Sequence, residues 1–271
     1  MTLGGRVQRW TGFEIWVTAT LGGYVLGLLL LLLSVAGYVR ISDFADFLRH
    51  PDLRAALRLS LTTATLASGL SILTALPTAY GLSRSVFIGR RALDTLVDVP
   101  LVLPPLVMGI ALLVFFRTPI GRAIESVGLR FTYRPAGIVL AQFLIVTPYA
   151  VRTIKAGLDG LDRRLEDVAR TLGATPWQTF RLVTLPQIRS AVAASAILTW
   201  AQAMGLFGPM MVFSGTMRGK TEVLATSIYL ELSIGRIRMA MAIALFLIGV
   251  SLTALFLFKS LVGDHRRGWP W

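Results

Sequence analysis

Residues 15–39 read IWVTATLGGYVLGLLLLLLSVAGYV, 25 residues without a Lys, Arg, Asp or Glu. A helix rises about 1.5 Å per residue and the hydrocarbon core of a bilayer is about 30 Å thick, so about 20 apolar residues suffice to cross it. This stretch exceeds that length and contains six consecutive leucines, Leu28 to Leu33. It outlasts the apolar region of a secretory leader, about 7–15 residues, and no small-residue cleavage site follows it, so it is expected to remain as an anchor. Five more uncharged stretches follow at 59–83, 99–116, 135–151, 190–217 and 239–258, of which 135–151, the fourth of the six, is the shortest. The expected fold is an all-α membrane protein with six transmembrane helices. None of the stretches shows the two-residue alternation of barrel strands.

Composition points the same way. Of the 271 residues, 55% are hydrophobic and only 15% charged, well below the quarter or so found in soluble domains. The net charge of +13 would invite a nucleic-acid reading in a soluble chain, but here the arginines lie between long apolar stretches, where interfacial anchoring to lipid explains them; no nucleic-acid partner is expected. With no cysteine and two separated histidines, His50 and His265, no metal site is expected. No Ser/His/Asp or Cys/His arrangement and no phosphate-cradling Gly-Lys-Ser/Thr is visible, so no catalytic residue and no cofactor of the chain's own is expected. Six spans place both termini on one side. Lys and Arg divide almost evenly between the two sides, so they do not fix which.

The most polar stretch is 152–189. Leu161, Leu165, Val168, Ala169 and Leu172 recur at helical spacing, with Asp162, Arg163, Glu166, Asp167 and Arg170 mostly elsewhere, which predicts a short amphipathic helix. Gly173 supplies a left-handed helix end. Thr175, Pro176 and Gln178 supply a cap, a first position and a capping-box partner for a second short helix carrying Trp177 and Phe180. On pattern alone, a hairpin lying on the membrane surface and a hairpin seated in a partner's groove fit equally well.

These residues resemble the loop motif of ABC importer permeases: Glu-Ala-Ala, three residues, Gly, nine residues, Ile, one residue, Leu-Pro. Asp167, Val168 and Ala169 are followed at those spacings by Gly173, Val183, Leu185 and Pro186. Asp replaces Glu, Val replaces the first Ala and Val replaces Ile, and Glu166 is a second candidate for the acidic contact. The resemblance implies a type I importer transmembrane domain whose loop is cytoplasmic and docks on a separate ABC ATPase subunit, which carries the ATP and Mg. It thereby implies an inner-membrane, multi-pass chain with both termini cytoplasmic. Glu166, Asp167, Ala169, Gly173, Val183, Leu185 and Pro186 become the candidate ATPase-coupling residues. A periplasmic or extracellular substrate-binding protein and a second copy of the chain are the further implied partners.

The resemblance covers about 59–262 and narrows toward permeases for molybdate, tungstate and related oxyanions such as sulfate. Two segments carry it: Asp98 through Leu112, with Pro100, Pro104 and Pro105, and Gly205 through Gly215, continuing to Leu232. Prolines and glycines inside apolar stretches free backbone groups, and such breaks are tolerated only inside protein or beside a water-filled path. Pro104, Pro105, Gly109, Gly205, Phe207, Gly208 and Pro209 are therefore the candidate path residues, helix packing being the competing explanation. Ala191, Ser195 and Thr199 read as a packing seam. Gln142 and Gln202 read as helix-to-helix hydrogen bonds. Leu206 stands where the oxyanion group commonly has Glu, which leaves sulfate, iron and polyamine permeases as alternatives. A secondary transporter would need an ionisable residue within the spans, and the uncharged stretches offer none. The expected division is 1–58 for the tail, first helix and external loop, 59–262 for a permease core of five helices with coupling loop 152–189, and 263–271 for a cytoplasmic tail.

Overall fold

Every regular element among residues 12–263, the part of the chain that the computed structural model describes, is a helix. In order they are α1 (Gly12–Tyr38), α2 (Ile41–Arg49), α3 (Pro51–Arg84), α4 (Arg90–Val102), α5 (Pro105–Arg117), α6 (Pro119–Ser126), α7 (Pro135–Asp159), α8 (Arg164–Thr171), α9 (Pro176–Thr179), α10 (Leu185–Gln187), α11 (Arg189–Gly205), α12 (Leu224–Ser233) and α13 (Ile237–Gly263). Two wider π-helical turns, Phe180–Thr184 and Met210–Ser214, join or extend them. The far ends of the expected terminal tails lie outside the described residues. Proline begins α3, α5, α6, α7 and α9, where its missing N–H is one the first turn leaves unpaired anyway.

Among the described residues four helices are long and apolar enough to cross a membrane, or up to six if each of two bent pairs makes one crossing. Helix α1 buries none of its 27 residues, as a helix that faces lipid all round would. The centre of the bundle is α3 packed on α7, with α11 across both. The contact face of α3 is built from Ala64, Ala67, Ser68, Ser71, Ala75 and Ala79, all buried; small side chains let helix backbones approach closely where no hydrophobic force drives them together. Its hydroxyls bridge to neighbours: Ser68 Oγ lies 2.8 Å from Thr199 Oγ1, and Thr147 Oγ1 donates to Ser71 Oγ at 3.0 Å. Ala191, Ser195 and Thr199 form a packing seam as read from sequence. Ser195 and Thr199 are buried, and a Cβ on Gly157 would lie 2.5 Å from that of Ala191.

The helices extend one sequence reading and meet two others. The helix carrying the fourth uncharged stretch runs on past 151: α7 reaches Asp159, with Arg152 inside it and its guanidinium paired to Asp94 and Asp98 of α4. Residues 152–159 at the start of the expected loop are thus helical. The third span is broken at its prolines, as expected: α4 and α5 meet at 109° across Leu103 and Pro104. The 13 residues of α5 reach only about 20 Å, short of a crossing unaided. The fifth span is interrupted, as expected: α11 ends at Gly205, and the chain continues through extended Leu206 into the π turn.

Candidate functional site

The polar hairpin is assembled as its local chemistry dictates. Gly173 takes φ +91, and the carbonyls of Arg170 and Ala169 accept the N–H groups of Gly173 and Ala174 at 3.0 and 3.1 Å, closing α8. Thr175 then opens α9: its Oγ1 accepts from Gln178 N at 3.3 Å while its own N–H donates to Gln178 Oε1 at 2.8 Å. Beyond α9 the chain widens into the π turn ahead of Pro186, whose ring cannot fit an α-helical carbonyl four residues back and which has no N–H to offer it.

This construction leaves Leu165, Val168, Leu172, Trp177 and Leu182 exposed on the hairpin. Asp167 and Pro186 are exposed beside them, and Ala169, Val183 and Leu185 are half-buried. Glu166 is different. It is only 5% exposed and its carboxylate meets Arg84 of α3 at 3.0 Å and accepts from Thr184 Oγ1 at 2.8 Å. Its carboxylate is turned into the chain, and the acid that faces outward is Asp167.

The two helix breaks picked out by their prolines and glycines touch each other, although about a hundred residues separate them in sequence. A Cβ on Gly109 of α5 would lie 2.7 Å from Pro209 Cα, and one on Gly208 would lie 3.2 Å from Leu106 N. Both breaks are built alike. The carbonyl of Pro104 accepts from Val107 and Met108, and that of Phe207 accepts from Met210 and Met211. Gly109 and Pro209 are buried in this contact, Phe207 and Gly208 are half-buried, and Pro104, Pro105 and Gly205 are exposed. Behind the contact, Met210 and Phe213 pack with Leu112, Phe116, Ile138 and Ala141. Gln142, buried on α7, donates its Nε2 at 2.9 Å to the carbonyl of Ala203, which also accepts the N–H of Leu206 at 3.4 Å at the end of α11. Gln202 is exposed.

Several charged residues escaped the sequence reading because their partners are remote. Arg152 bridges Asp94 and Asp98. Glu231 of α12, buried, pairs with Arg218 at 2.8 Å. Glu222, in the loop before α12, is 2% exposed and accepts from Ser227 Oγ at 2.8 Å; burial pushes its carboxyl above the ordinary glutamate value. Glu125 of α6 shifts the other way, held below that value chiefly by the backbone N–H of Thr132, with Phe131 N–H adding to it.

Comparison with known proteins agrees with this architecture. Residues 67–263 match the family described as binding-protein-dependent transport system inner membrane component. The chain is 32% identical over 228 residues to the sulfate transport system permease protein CysT of Escherichia coli K12, covering 83% of this chain and 82% of that one. It is 31% identical over 254 residues to the molybdate/tungstate transport system permease protein WtpB of Thermococcus kodakarensis, covering 93% and 97%. Against the molybdenum transport system permease protein ModB of Mycobacterium tuberculosis it is 36% identical over 202 residues, covering 74% and 76%. Among solved structures, a chain of the bacterial alginate ABC transporter, crystallised in complex with an alginate pentasaccharide-bound periplasmic protein, superposes with a TM-score of 0.72 at 18% identity, covering 92% of this chain and 93% of that one. The expected fold of an ABC importer transmembrane domain is the one observed.

Proposed function

This chain belongs to the family of binding-protein-dependent transport system inner membrane components, and from that premise we propose that it is the permease of an ATP-driven importer carrying an oxyanion of the molybdate/tungstate or sulfate type. The observation that carries the coupling half of the reading is the hairpin 160–188. Its motif spacing is matched by an exposed apolar row, Leu165, Val168, Leu172, Trp177 and Leu182, with Asp167 beside it. Apolar side chains outside the bundle, presented by two capped helices, suit the groove of a partner protein, and Asp167 suits a cation at that groove's edge. The partner is an ABC ATPase that holds ATP and Mg. That arrangement makes the hairpin end cytoplasmic and sets both termini on the same side.

The oxyanion half rests on the relatives, whose names divide between sulfate and molybdate or tungstate. Two copies of the chain pack with the broken segments of α5 and 205–214 toward their shared path, and a substrate-binding protein delivers the anion to the opposite end. ATP binding opens the path outward and hydrolysis resets it; this chain supplies motion, not covalent chemistry.

The test is ATP hydrolysis by this chain reconstituted in lipid vesicles with its candidate ATPase and oxyanion-binding protein, with molybdate, tungstate or sulfate in turn. Stimulation by one loaded binding protein, abolished by Asp167→Lys, is the expected result and names the anion. An ATPase that neither binds this chain nor responds to it overturns the reading.

A further inference from the structure

The outward face of the hairpin is explained by a docked ATPase, but its inward face is fastened to α3 by a buried polar junction. Arg84, in the last turn of α3, and Glu166, in the first turn of α8, have side chains 7% and 6% exposed and meet at 3.0 Å. Arg84 Nε also lies 3.2 Å from the other carboxylate oxygen. Thr184, on the second arm of the hairpin, donates to Glu166 Oε1 at 2.8 Å, so one carboxylate gathers both arms. The backbone joins in from both sides. Arg163 Nη2 donates to the carbonyl of Ser83 at 2.8 Å, an acceptor at the end of α3, and Arg84 Nη2 reaches the carbonyl of Leu161 at 3.5 Å. Ser83 Oγ donates to Asp159 at the end of α7.

Chain connectivity gives this junction its importance. The hairpin continues by backbone into α7 and α11 but not into α3, from which α4 to α7 separate it. The hairpin therefore meets α3 directly only through side chains, beside the packing of α7 and α11 on that helix. The other contacts there are apolar: Tyr80 sets its ring edge-on to Phe180 at 5.2 Å, and Leu185 and Ile188 lie on the cluster of Ala75, Ala79 and Leu82. Apolar contacts resist separation but permit sliding, whereas a charged pair with fixed donors holds its register. At its far end α3 is hydrogen-bonded to α12, where Ser60 Oγ accepts from Leu224 N at 2.8 Å.

We infer that Arg84 and Glu166 are positioning residues that convert movement of the ATPase-docked hairpin into movement of α3. The inference rests on the importer reading above. A buried pair broken on one side leaves a bare charge, while replacing both members with apolar residues is often tolerated. The test variant is accordingly the double substitution Arg84→Met with Glu166→Leu, with Arg84→Lys as the conservative companion. The reconstituted complex with its ATPase and loaded binding protein is assayed for ATPase co-purification and for anion imported per ATP hydrolysed. The double variant is expected to hold the ATPase as wild type does and to lose most of its import per ATP; Arg84→Lys is expected to recover most of it. Import per ATP equal to wild type in the double variant overturns the inference, as does a loss that merely tracks lost assembly. A wild-type complex that fails to bind the ATPase at all overturns the importer reading instead, and this inference with it.

Discussion

The contact between the two helix breaks makes one substitution decisive. At Gly109 an added methyl would stand 2.7 Å from Pro209 Cα, 3.1 Å from its carbonyl oxygen and 3.3 Å from its carbonyl carbon. Non-bonded carbons prefer about 3.5–4.0 Å, so the two segments must part by about 1 Å. All three obstructing atoms are backbone, and Pro209 has its φ fixed by its ring, so no side chain can rotate away to absorb the clash. Overpacking of this kind costs about 1–3 kcal/mol. Gly205, at the other side of the same break, has nothing within 4 Å of a built Cβ. Since it closes α11 without a positive φ, Gly205→Ala should be neutral or slightly stabilising. The assay is the temperature at which detergent-purified protein leaves its monodisperse chromatographic peak. At about 2–4 °C per kcal/mol for soluble domains of similar length, Gly109→Ala should fall by about 2–12 °C, and Gly205→Ala should not fall. Equal melting of Gly109→Ala and wild type, or an equal loss in both variants, would refute the packing argument.

Three further substitutions probe other parts of the chain. Thr175→Ala removes the acceptor for Gln178 N and should cost about 0.5–2 kcal/mol of α9, read as amide exchange about 2- to 30-fold faster at Gln178 and Thr179; unchanged exchange there would discard the capping box as a stabiliser. Arg152→Gln leaves Asp94 and Asp98 adjacent with no cation between them. The three side chains are 31–36% exposed, so the cost should be on the order of 1 kcal/mol, seen as faster exchange in α4 with α13 unaffected. Glu222 has its carboxyl raised by burial. The folded form therefore holds a proton that the unfolded form gives up, and stability should fall as pH rises from the ordinary value of 4.5 through the raised one. Glu222→Gln should abolish that slope in proteolysis of the loop before α12, where Asp52, Glu231 and Arg218 are the neighbouring charges; a slope that survives the substitution would assign it to another group.

Much of the hairpin was legible because its determinants are local: Gly173, the Thr175–Gln178 box and the proline at position 176 act within a few residues of themselves. The apolar row Leu165, Val168, Leu172 was equally plain. Its two faces were not, since only the fold shows that Glu166 turns inward to Arg84, 82 residues away, and leaves Asp167 outside. The same distance effect shortened the fourth span. A charge ends a stretch read for membrane crossing because an isolated ion is costly in hydrocarbon, yet it does not end a helix when protein partners wait for it. Asp94 and Asp98 wait for Arg152, and nothing near Arg152 in sequence announces them.

The breaks show the complementary case. Pro104, Pro105, Gly208 and Pro209 mark where hydrogen bonding fails, which is a local fact and was read correctly as such. How far the chain turns at that point is set by what it meets. The 109° between α4 and α5 is held on one side by Arg152, which draws α4 onto α7, and on the other by Gly109, which lets α5 close onto Pro209. Leu206 fits the same logic. In the oxyanion permeases that the sequence resembles, a carboxylate is common at that position; here an extended leucine lies against the apolar clusters on both sides of the break. The carbonyl beneath it, that of Ala203, accepts both from the N–H of Leu206 and from Gln142. This break is therefore closed by packing and by an amide, and needs no acid at 206 to satisfy its backbone.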